Sequence, residues 1–146
     1  KHPSSIEPGK RPRLTPNPAM IFKDNKPFLI LGTPGLDVQI QAMTQLFMNI
    51  IEFGMNPQEA IEAPRFASYS FPLTNIMNNY EPGVLRCEKD IKENVINNLS
   101  KLGHEIKLWD QKSYLAGGLC AIQINNELKT LTAGADPRRD AYAIGR

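Results

Sequence analysis

Apolar positions change their period along this 146-residue chain, and the changes mark its elements. Two apolar runs, Ala19 to Phe22 and Phe28 to Leu31, flank Asp24-Asn25, a pair suited to a tight turn, and predict a β-hairpin. The second run is continuously apolar, as in a strand covered on both faces. The period then lengthens. Met43, Leu46, Phe47, Ile50 and Ile51 recur at i, i+3, i+4, i+7 and i+8 and predict an amphipathic helix. Asp37 is its expected N-cap, and Gly54 lies just past its end. "NPQEAIEAP" predicts a short second helix, with Asn56 as N-cap, Pro57 in the first position and Pro64 as the stop. Residues 65–80 carry several aromatics and no period, and read as an ordered loop.

Alternation resumes in the last third. "VLRCE" predicts a strand, and "DIKENVINNLSKLGH" a helix capped by Asp90, stopped by Gly103, with Ile91, Val95, Leu99 and Leu102 inward. "EIKLW", "LCAIQIN" and "LKTLTAG" read as strands, the last two a hairpin across Asn125-Asn126. The order β-β-α-α-β-α-β-β-β, with hairpins and few crossovers, predicts an α+β layered sheet. Residues 1–18 differ. Prolines at 3, 8, 12, 16 and 18 deny that stretch a regular hydrogen-bond ladder, so it is expected to run as an extended arm ahead of the layers at 19–146. A chain that begins mid-loop without Met reads as a fragment or a processed product.

Composition narrows the class. With 41% hydrophobic and 22% charged residues the chain reads as soluble and globular, and a formal charge of +2 without a sustained basic run speaks against a nucleic-acid partner. No apolar stretch approaches the ~18 residues that span a membrane. Cys87 and Cys120 stand in no metal or redox spacing and read as buried thiols; the lack of a disulfide pattern points to the cytoplasm.

Three segments carry candidate chemistry. "GTPGLD", between the second strand and the long helix, lacks the Lys-Ser/Thr of a nucleotide loop and the spacing of a dinucleotide fingerprint. It leaves three readings: an unspecialised phosphate cradle, a tight turn with Gly35 at positive φ, or an oxyanion hole made of N–H groups at a helix start. "PGKRPRLTPNP" sets Thr15, Asn17 and two arginines in a proline-stiffened arm, either against a cleft or simply packed on the surface. "GADPRRDAYAIG" reads as a local ion-pair turn of Asp136, Arg138, Arg139 and Asp140. His104 stands at a helix end, where it caps or starts a strand, and Glu52, Glu59 and Glu62 read as solvated charges. The residues alone therefore offer a binding loop and no nucleophile.

Taken in order, "PGKRP", "NPAMIFKDNKPFLILGTPG", "FGMNPQEAIEAPRF", "LGH" and "GADPRRDAYAIG" resemble the small-subunit region of gamma-glutamyltranspeptidases over nearly the full chain. The resemblance implies an N-terminal-nucleophile hydrolase with an αββα sandwich, made as a precursor that cleaves itself. A threonine thereby becomes the first residue of the small subunit, and its own α-amine serves as base. That threonine is expected upstream of Lys1. Partners are then a large-subunit chain and the upstream small-subunit segment of the same precursor, together with a small-molecule amide; no cofactor or metal is expected.

The family's Gly-Ser-Pro-Gly-Gly loop matches Gly32-Thr33-Pro34-Gly35-Leu36, which assigns oxyanion-hole N–H groups to Gly35 and Leu36, the latter replacing glycine. The family's Lys-Arg-Pro-Leu-Ser-Ser-Met motif, whose paired serines take the glutamyl α-carboxylate, matches Lys10-Arg11-Pro12-Arg13-Leu14-Thr15-Pro16. Leu14 cannot hydrogen-bond and Thr15 can, so half of the clamp is absent; Thr15, with Arg13 or Asn17, is the expected substrate contact, and Lys10 and Arg11 are expected to anchor the arm. A site built on a hydrogen bond discriminates through it by up to ~10⁴. Glutathione is thus not the expected substrate, and the chain reads as a divergent branch nearer to amidohydrolases and acylases. The rival expectation is a catalytically inactive binding or assembly module on the same fold.

Overall fold

The computed structural model describes residues 5–11, 14–74 and 80–145. The predicted hairpin is present: β1 (Ala19–Lys23) pairs antiparallel with β2 (Lys26–Gly32). Its turn residues Asp24 and Asn25 have φ of 52° and 59°, the doubly left-handed geometry that matches strand twist. Two helices follow, α1 (Gln39–Ile51) and α2 (Pro57–Glu62). Asn56 and Glu59 close a reciprocal capping box at the start of α2, so Glu59 is a cap, not a free solvated charge.

The 65–80 region is less loop-like than its lack of period implies. It contains β3 (Phe66–Ser68), which pairs antiparallel with β4 (Val84–Glu88). Next come α3 (Glu93–Lys101) and β5 (Glu105–Trp109), the latter parallel to β4. Asp90 does not cap α3, whose N-cap position is Lys92. The predicted inner face of α3 is also largely uncovered, with Val95 41% and Leu102 78% exposed. The last hairpin is β6 (Cys120–Asn125) with β7 (Thr130–Ala135), in which the Asn125 side chain accepts from the N–H groups of Glu127 and Leu128.

One sheet has the antiparallel order β1-β2-β6-β7, the other the order β3-β4-β5. Period two along β2 sends Leu29 and Leu31 into the core, where they meet Leu46, Ile50, Ala60 and Ile61 of α1 and α2. Ile51, expected inward, is 43% exposed at the end of α1. The opposite face of the four-stranded sheet carries the cross-strand row Met20, Ile30, Ile122 and Ala133. No helix lies on that face among the described residues. The four-stranded sheet with α1 and α2 on its core face is one α layer on one β layer, half of the expected αββα sandwich.

Candidate active site

β2 ends at Gly32, and Thr33–Gly35 lead into a 3-10 turn, Leu36–Val38, that opens α1. Gly35 has φ 142° and Leu36 φ 52°. Two consecutive positive φ values turn the chain so that adjacent N–H groups stand at a helix start, where the backbone dipoles favour negative charge. At φ 142° only glycine is comfortable, and at φ 52° glycine is favoured over a bulky apolar residue. Leu36 adopts the left-handed conformation nonetheless. Neither the Gly35 nor the Leu36 N–H donates a hydrogen bond among the described residues, whereas the Val38 N–H returns to the Gly35 carbonyl at 3.1 Å.

The loop is braced from behind. The Thr33 hydroxyl accepts from the Gly118 N–H at 2.8 Å and donates to the Pro34 carbonyl at 2.7 Å. A Cβ at Gly117 would stand 2.9 Å from that hydroxyl and 3.3 Å from the Pro34 carbonyl oxygen, so only glycine admits this approach. Asp37 is not the N-cap of α1. It lies inside the 3-10 turn, and its carboxylate accepts from the Thr74 N–H at 2.9 Å and the Thr74 hydroxyl at 2.6 Å.

The arm arrives at the same end of the sheet, with Pro18 Cα 4.0 Å from where a Gly32 Cβ would lie. Thr15 is exposed and Asn17 half-buried, and neither side chain has a hydrogen bond among the described residues. Three extended residues span at most ~10 Å, so Thr15 stays within that distance of Pro18. Leu14 is exposed, and Lys10 and Arg11 lie open to solvent where anchoring contacts were expected. Arg13 lies outside the described residues.

"GADPRRDAYAIG" is not a surface turn. Asp136 and Arg138 are buried with Arg65 and Glu88, two residues the sequence reading did not single out. Arg138 Nε donates to Glu88 at 2.7 Å and its Nη1 to Asp136 at 3.1 Å, while Arg65 Nη2 pairs with Asp136. The N–H groups of Arg65, Ser113 and Leu119 complete the carboxylate shells at 2.8–2.9 Å. Burial alone would raise Glu88; the Arg138 hydrogen bonds and the Arg65 N–H outweigh it and hold the carboxyl below its usual range. The same balance, with the Arg65 charge as chief opponent of burial, holds Asp136 down. Two cations thus neutralise two anions in a sealed cluster with no access for a substrate. A second charge in the short strand β4, at its end, was the one signal for Glu88. Of the predicted buried thiols, Cys87 is buried and Cys120 exposed.

The gamma-glutamyltranspeptidase family model matches residues 1–146. The chain is 34% identical over 144 residues to the glutathione hydrolase-like YwrD proenzyme of Bacillus subtilis, covering 99% of this chain and 26% of that protein. It is 34% identical over 140 residues to the acylase ACY 1 proenzyme of Pseudomonas sp. strain V22, covering 96% of this chain and 22% of that protein. The chain therefore spans about a quarter of the length of the curated relatives it matches. A crystal structure of Helicobacter pylori gamma-glutamyltranspeptidase superposes with TM-score 0.73 at 33% identity, over 92% of this chain and 66% of that one. Sequence and fold agree: this chain belongs to the gamma-glutamyltranspeptidase family and forms part of its N-terminal-nucleophile hydrolase sandwich.

Proposed function

We propose that this chain is the C-terminal portion of a self-processing N-terminal-threonine amidohydrolase or acyltransferase that acts on gamma-glutamyl or other acyl amides. The observation that carries this reading is the pair of N–H groups at Gly35 and Leu36 that have no partner among the described residues, set by positive φ at a helix start. An upstream threonine, its proton taken by its own α-amine, attacks the amide carbonyl. The oxygen gains negative charge, and the Gly35 and Leu36 N–H groups stabilise it; one such donor is worth roughly 3 kcal/mol of barrier. The amine leaves with the transferred proton, and water or an acceptor amine then releases the acyl group. Thr15, with Arg13 or Asn17, holds a polar end of that acyl group.

The matched relatives are named proenzymes, which supports a processed precursor. The row Met20, Ile30, Ile122 and Ala133, over which no helix lies among the described residues, supports a second sheet from the large subunit and upstream segment as its cover. A binding or assembly module with an inactive site draws support from one observation, the strained non-glycine Leu36.

Intact-mass measurement of the full gene product tests both. Cleavage leaving an N-terminal threonine, with hydrolysis of a gamma-glutamyl or simple acyl anilide, is the expected result. An uncut chain, or a cut one that hydrolyses neither, overturns the enzymatic reading in favour of the module.

A further inference from the structure

The loop at 34–38 forms one wall of an open groove of about 460 Å³, in the size range of small-molecule clefts. Tyr69, Leu73, Tyr114, Leu115 and Arg139 line the rest. Leu36 is 54%, Tyr114 63% and Leu115 56% exposed, so apolar side chains stand uncovered beside the Gly35 and Leu36 N–H groups. Two charged residues share the groove, and they differ. The Asp37 carboxylate is engaged by Thr74 through both oxygens. The Arg139 guanidinium lies 3.1 Å from the Tyr114 ring centroid and donates through Nη2 to the Tyr114 carbonyl, while its Nη1 has no partner among the described residues. The groove therefore offers apolar walls and one available cation.

We propose that this groove is a substrate subsite for an apolar group of the scissile amide, aryl or branched alkyl, that carries an anionic substituent. The proposal rests on the reading of Gly35 and Leu36 as oxyanion donors. Once their N–H groups hold the carbonyl oxygen, the substituent beside that carbonyl meets the Leu36 side chain, which lines the groove. A gamma-glutamyl group carries its ammonium and carboxylate on one carbon and gains little from such walls; an aryl group buries its faces on them. Arg139 then meets the anion, as its remaining donor allows.

The test uses the complete processed protein with the p-nitroanilides of acetic, phenylacetic and 4-carboxyphenylacetic acids. KM should fall in that order. Arg139→Gln should bring the ratio of phenylacetyl to carboxyphenylacetyl KM from about five to about one, the scale of a partly exposed ion pair, and Arg139→Lys should restore it. Leu115→Ala should raise KM for both aryl substrates about tenfold with kcat little changed. Calorimetric titration of 4-carboxyphenylacetamide separates the two readings. Binding weakened by Arg139→Gln in a protein that hydrolyses nothing supports the groove and removes the catalytic reading. Turnover with KM indifferent to both substitutions, or groove residues covered by another segment of the precursor, overturns the groove and leaves catalysis standing.

Discussion

The loop at 32–36 and the cluster of Arg65, Glu88, Asp136 and Arg138 use polarity in opposite ways. The cluster is made of side chains, almost fully buried, with carboxylates and guanidinium groups answering each other. The loop is made of backbone, borders an open groove, and leaves two donors unanswered among the described residues. The two carboxylates are fully answered, and burial keeps even the Arg65 Nε and Nη1, which have no partner among the described residues, out of a substrate's reach. Donors held at fixed angles beside an open groove are within that reach. The segment with more charge is thus the structural one, and the segment without a charged side chain in its turn is the better candidate for chemistry.

The largest test of that contrast is Arg138→Met, which strands Glu88 and Asp136 without their shared cation. Breaking a buried pair costs on the order of 3–5 kcal/mol, so the denaturant midpoint of the complete protein should fall sharply. Gly35→Val comes next. Its φ of 142° excludes a branched side chain, and displacing the donor should lower kcat roughly 10²-fold while KM moves less. A larger change in KM than in kcat would take Gly35 out of the oxyanion hole.

Thr33→Val keeps the shape of the brace and removes its hydroxyl, leaving the Gly118 N–H unanswered. The cost is about 1–2 kcal/mol, read as lower kcat at nearly constant KM, with Thr33→Ser restoring the rate. Leu36→Gly has the smallest effect. Relief of left-handed strain should stabilise the protein by about 1 kcal/mol, seen as a higher thermal midpoint.

Acid distinguishes the two regions again. Glu88 and Asp136 are held below their ordinary values in the folded chain, so the unfolded chain takes up protons first as pH falls. Their stabilising contribution is complete above about pH 5 and is lost as pH drops through the ordinary carboxylate range toward the folded values. Denaturant midpoints measured between neutral and acid pH should fall in the parent protein, and fall less in a Glu88→Gln variant.

Local chemistry was legible and long-range chemistry was not. Asp24-Asn25 specified a hairpin because its turn geometry depends on those two residues. The Asn56, Pro57 and Glu59 signature specified the start of α2 because capping acts within one turn. β3 escaped because it is three residues long and exists through its pairing with β4. The face of α3 was read as inward from its spacing, yet spacing cannot supply an element to cover it. The ion cluster joins residues 71 and 50 positions apart, and no local pattern links Arg65 to Asp136 or Glu88 to Arg138.

By itself the sequence determined the order of most elements, the periods that place Leu29, Leu31 and Leu46 in the core, and the family to which the loop motif belongs. Those follow from backbone geometry acting over a few residues. Only the tertiary structure decided that Asp136 and Arg138 are sealed, that Thr33 braces the loop through Gly118, and that Leu36 strains into a left-handed turn beside a groove. Each depends on groups brought together from distant parts of the chain, where burial turns an ordinary charge into a structural bond and a plain amide into a free donor.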